Sequence, residues 1–134
     1  MMILIWNQSL FTKIKESNIP NDCKHFYIAL TLFESGWHKH PEAIKKHNYS
    51  GFKEHNKLKT FESETEYVEY FQNWFIRKKI YSEKSFKKYI LSGKYNIASK
   101  KQLVKYLNDI LKIKKRIKKY DNFRKPIAKD STKS

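Results

Sequence analysis

The sequence is poor in the residues that bend, staple or neutralise a chain: one cysteine, three glycines and three prolines in 134 residues. The lone Cys23 excludes an internal disulfide, and its helical spacing to Phe26, Tyr27 and Leu30 reads as a small buried side chain rather than a nucleophile. So few glycines and prolines argue against a many-turned β sandwich and for packed helices. Acidic residues are scarce too, since 13 Asp and Glu face 29 Lys and Arg, a formal charge of +16. That excess attracts nucleic acid, anionic membranes or acidic cell-wall polymers, and it disfavours self-association, so a monomer is expected. No apolar run is long enough to cross a bilayer. The opening "MMILIWNQSLF" lacks a basic leader and a small-residue cleavage site, so the expectation is cytoplasmic synthesis without a signal peptide.

What the chain has is aromatic and aliphatic mass, 16% and 40% of residues counted with the aromatics in both, enough for one core and too little for two ordinary domains. Leu10 and Ile14 predict a short helix from about Ser9 to Ser17. After Pro20, the spacing of Cys23, Phe26, Tyr27, Leu30 and Phe33 predicts a second from Asp22 to about Ser35. No period shows from Gly36 to Phe61, where "NYSGFKEHNKLKTF" suggests a turn or small hairpin with Gly51 at its bend. Ser63 and Glu66 form a capping-box pattern ahead of Tyr67, Val68, Phe71, Trp74 and Phe75. A shorter helix begins near Ser82 and ends at Ser92 and Gly93, and a second box, Ser99 with Gln102, opens a long one. The expected fold is therefore mainly α: a single domain over residues 1–119 with about five helices and a short loop or hairpin near residues 48–61, followed by a basic flexible tail over residues 120–134.

Glu34 stands out. It falls on the margin of the apolar stripe of the second helix and at its C-terminus, where desolvation and the negative end of the helix dipole both disfavour a carboxylate. Its pKa should rise, opposed by whichever of Lys39, Lys45 and Lys46 approaches it.

The segments "IPNDCKHFYIALTLFESGW" and "NYSGFK" resemble the glucosaminidase family of peptidoglycan hydrolases, of the lysozyme-like superfamily. The family pattern is a proline-introduced helix ending in Glu-Ser-Gly-Trp, then an Asn-aromatic-x-Gly-x-Lys turn. A weaker likeness runs through "TFESETEYVEYFQNWF" and "LSGKYNIASKKQLVKYLNDI", so the resemblance spans roughly Ile19 to Ile113. It implies a lysozyme-like fold and an enzyme that cleaves peptidoglycan glycan strands without a cofactor. Glu34 would be the general acid, with Trp37, Asn48, Tyr49 and Gly51 shaping the cleft floor and Tyr95 approaching the sugar. It implies release to the cell wall or incorporation in a phage particle, the basic surface holding anionic wall polymers.

The chain departs from the family in carrying His38 after the tryptophan, where a small residue is usual, and in a short segment from Lys53 to Phe61 where many relatives have a lobe bearing a second carboxylate. Glu54, Glu62 and Glu64 are the candidates for that partner, and a lytic transglycosylase, which needs one acid and an internal hydroxyl, fits the same residues. The cluster His38, His40, His47 and His55 matches no metal-ligand spacing and reads as solvated loop histidines, so no metal is expected. Two further readings remain: non-specific nucleic-acid binding through the lysines and arginine of residues 112–119, and an inactive lysozyme-like component of a virion or secretion machine.

Overall fold

The computed structural model describes residues 6–96 and 98–132, with side chains as far as Asp121. The fold is mainly α, with the elements in the order α1 (Gln8–Glu16), α2 (Asn21–Glu34), α3 (Pro41–Lys46), β1 (Lys53–Glu54), β2 (Lys57–Leu58), α4 (Glu64–Arg77), α5 (Glu83–Leu91) and α6 (Lys100–Thr132). No helix among the described residues is long and apolar enough to cross a membrane.

α2 is the axis of the core. From Phe26 to Leu32 it is buried on every side, because α1, α5 and α6 all pack on it. The stripe read from the sequence is thus one face of a helix with no solvent face over those two turns, except that Phe33, expected inside, is exposed and meets the ring of Tyr106 edge-on at 5.4 Å. Cys23 is fully buried, which pushes its thiol up to about 12 and leaves no thiolate. Aromatic rings from α2, α4 and α5 interlock, with Tyr27 and Tyr67 sharing a buried hydroxyl hydrogen bond of 2.7 Å.

Helix starts follow the capping chemistry of the sequence. Ser99 Oγ accepts the Gln102 N–H at 3.2 Å while Gln102 Oε1 accepts the Ser99 N–H at 2.9 Å, a complete box. At α4 the box is half formed: Ser63 Oγ accepts from Glu66 N–H, but the Glu66 carboxylate turns to the Glu62 N–H instead. α3 was not expected, and it brings the described helices to six rather than five. Six residues are too few to show a repeat, and it is set by Pro41 at its first turn and by His40 Nδ1, which accepts the Glu42 N–H at 3.3 Å. The hairpin exists, but its bend is His55–Asn56, both left-handed, and not Gly51.

At the C-terminal end α6 continues past the expected boundary at residue 119 to Thr132, and both Tyr120 and Asp121 are buried. Asp121 accepts from Lys15 Nζ at 2.5 Å and pairs with His25 Nε2 at 2.8 Å, and Tyr120 meets Trp6 edge-on at 5.1 Å.

Candidate active site

The end of α2 shapes the site. The Trp37 N–H closes on the Leu32 carbonyl at 2.8 Å, with Gly36 left-handed between them, a Schellman arrangement. The backbone stays left-handed through Trp37 and His38 (φ 62° and 65°), which side chains other than glycine rarely adopt. Buried His38 holds that turn. Its backbone N–H donates to Ser35 Oγ at 2.9 Å, its Nδ1 accepts the Asn7 N–H at 3.0 Å, and its Nε2 therefore carries the proton donated to Thr31 Oγ1 at 3.0 Å. Burial holds the imidazole at about 4, so it is neutral and structural, where a solvated loop histidine was expected.

Beside the last turn of α2 lies a cleft of about 580 Å³. Glu34 enters it from α2, residues 50–52 from the segment leading into β1, Lys53 from β1, Asn56 from the hairpin bend, and residues 94–96 from the α5–α6 connection. Glu34 Oε2 accepts a short hydrogen bond from the Tyr106 hydroxyl, and Oε1 lies against Gly51, where a Cβ would come within 2.9 Å of it. Gly51 is thus fixed twice, by a left-handed φ of 66° and by the closeness of the carboxyl. Burial raises the pKa of Glu34, and the Tyr106 hydrogen bond and the charge of Lys53 only partly offset it. The cation that reaches it is Lys53, not Lys39, Lys45 or Lys46. Burial, with the charges near it, also pushes Tyr106 well above the ordinary phenol value, so its hydroxyl stays a donor.

Of the residues expected around the acid, Gly51 and Tyr95 line the cleft and three others do not. Tyr95 donates its hydroxyl to the Ser50 carbonyl at 2.8 Å, tying the α5–α6 connection to the turn before Gly51. Asn48 is buried and spent on its own loop: its amide donates to the carbonyls of Phe52 and Lys59 at 2.8 Å each, and its oxygen accepts the Phe52 N–H at 3.2 Å. Tyr49 is core, edge-on to His38 and Tyr67. Trp37 packs against Trp6, with the Arg116 guanidinium 4.9 Å over its ring. Each shapes the backbone around Glu34 without lining the cleft. Tyr106 escaped the sequence reading because its spacing on α6 matches any apolar position and 72 residues separate it from Glu34.

None of the three candidates for a second carboxylate lines the cleft. Glu54 pairs with Lys59 at 3.2 Å, Glu62 is exposed beside the start of α4, and Glu64 binds Asn7, Ser9 and Lys13. Burial would raise Glu64, but those hydrogen bonds outweigh it and hold its carboxyl below the usual range. Glu34 is the one carboxylate among the described residues that line the cleft, and no three described His, Cys, Asp or Glu are grouped to hold a metal ion. Comparison of the chain with family models, curated proteins and solved structures gives no match.

Proposed function

We propose that the protein cleaves the glycan strands of peptidoglycan, with Glu34 as general acid. The observation that carries this reading is a partly buried carboxyl of raised proton affinity on the wall of a cleft lined by no other carboxylate among the described residues. Tyr106 fills the acceptor site on Oε2, which leaves Oε1, on the Gly51 side, to carry the proton. That proton passes to the glycosidic oxygen as its bond to C1 breaks, so the leaving sugar departs as an alcohol and positive charge develops on the ring. With no second carboxylate among the described residues that line the cleft, a group of the substrate meets that charge. Either the acetamido oxygen holds C1 until water adds, or the C6 hydroxyl of the same sugar attacks C1. In both cases the proton released returns to the Glu34 carboxylate.

The Glu-Ser-Gly-Trp and Asn-Tyr-Ser-Gly-Phe-Lys segments support the same reading, since they supply Glu34, Gly51 and Lys53 of one cleft. Mass spectrometry of products from purified peptidoglycan tests it: reducing GlcNAc, reducing MurNAc and anhydro ends separate the bonds and routes. Glu34→Gln should abolish every product while the circular dichroism spectrum stays that of the parent, because the amide keeps the shape and cannot deliver the proton. Equal activity in both proteins would remove Glu34 from the mechanism, and no activity in either would favour an inactive structural component.

A further inference from the structure

A second cavity adjoins the first. It is an open groove of about 210 Å³ and shares Phe52, Lys94 and Tyr95 with the cleft of Glu34. Its other walls come from Tyr70, Trp74 and Arg77 of α4, with Lys78 after them, and Tyr89 of α5. The rings brace one another: Trp74 meets Tyr89 edge-on at 5.5 Å and Tyr95 at 6.0 Å, and Phe52 meets Tyr70 at 5.5 Å. Their positions do not depend on a ligand to order them.

The charge is one-sided. Among the described residues no carboxylate lines the groove, and Arg77, Lys78 and Lys94 make no ion pair. The Arg77 guanidinium lies 5.4 Å over the Tyr70 ring, a stack that uses its flat face and leaves the N–H groups on its edge free. Aromatic walls with a free guanidinium edge and two ammonium groups suit an amphipathic ring that carries an anion. A neutral sugar would use the walls and leave three cations unanswered.

We infer that this groove is a subsite for a saccharide unit bearing a carboxylate substituent, held by Arg77, Lys78 and Lys94 while the neighbouring glycosidic bond lies at Glu34. It rests on the reading of Glu34 as the acid of a glycan-cleaving enzyme and adds which sugar occupies which side of the cleft. On a strand whose lactyl groups carry no peptide, the groove thereby acts as a register device: only every second unit carries the free carboxylate, so only every second bond is presented to the acid.

Calorimetric binding to the Glu34→Gln protein, which leaves the probe intact, tests this without using cleavage. The two probes are a GlcNAc–MurNAc tetrasaccharide with free lactyl carboxylates and the neutral chitin tetrasaccharide of the same length. The carboxylated probe should bind about tenfold tighter, the scale of a charge-assisted hydrogen-bonded pair. Adding Arg77→Gln, Lys78→Gln and Lys94→Gln should bring that preference below about twofold. The same loss of charge placed at Lys115, Lys118 and Lys119 should leave it intact. Equal affinity for the two probes, persistence of the preference in the groove variant, or equal loss in the α6 variant would each overturn the assignment. Failure of the parent to cleave peptidoglycan would count against the role of Glu34 alone, since the binding comparison reads the groove separately.

Discussion

Glu34 is made what it is by neighbours from distant parts of the chain: Gly51 from the loop before β1, Lys53 from β1 and Tyr106 from α6. The hydroxyl of Tyr106 does two things to the carboxyl. It fixes which oxygen accepts, and by donating to the ionised form it lowers the pKa that burial raises. Tyr106→Phe should therefore raise the Glu34 pKa further, so the acid stays protonated to higher pH and the alkaline limb of the cleavage profile shifts upward. The turnover rate should still fall, by about tenfold, because a carboxyl free to rotate spends less time with its proton aimed at the bond. A ¹³C titration of the glutamate side-chain carbonyls, with the Glu34 signal identified by its loss in Glu34→Gln, reads the first effect in the absence of substrate. An unchanged titration in Tyr106→Phe would mean that the hydrogen bond does not govern the acid.

At the scale of elements, the strongly periodic helices were legible in the sequence and the site only partly so. α4 and α6 announced themselves by capping residues and apolar spacing, and both caps formed, one of them by half. α3 was too short to show a period, and the residues that close the cleft onto Glu34 sit in turns whose geometry depends on contacts far along the chain. Trp37 and Asn48 lie in segments that flank the cleft, yet local sequence does not say which way a side chain leaves a left-handed turn. That turn gives a prediction of its own. His38 is neutral in the fold, at about 4 against an ordinary 6.5, so the unfolded chain binds its proton first as pH falls. The stability it contributes is complete above about pH 6.5 and is lost progressively down to about pH 4, a span worth about 3 kcal/mol. Urea midpoints at pH 7 and pH 5 should differ more in the parent than in His38→Gln, which has no proton to take up and should already be weaker at pH 7. Parallel pH slopes in the two proteins would sink the assignment of the acid sensitivity to this turn.

Across the whole molecule, a formal charge of +16 is too large to be a by-product of local pairing, and the structure sorts the cations by what they already do. On α6, Lys114 pairs with Glu83 and Arg116 covers Trp37, so neither is free to hold a polymer without a cost to the fold. Lys112, Lys115, Lys118 and Lys119 are exposed and make no ion pair among the described residues, and none of them lines the cleft. If they hold the protein on an anionic wall, changing these four to glutamine should weaken sedimentation with intact cell walls and flatten its dependence on salt, because fewer counterions are released on binding. Cleavage of short soluble glycan fragments should persist, since those fragments need only the cleft and the groove beside it. Duplex DNA should bind the parent as well, with little regard to sequence and with an affinity that falls steeply between low and physiological salt, since phosphate contacts displace ions without reading bases. Two results would break this division of labour: loss of fragment cleavage in a folded four-glutamine variant, which would place those lysines in the cleft's own work, or sequence-selective DNA binding that survives high salt, which would make nucleic acid the partner that the charge serves.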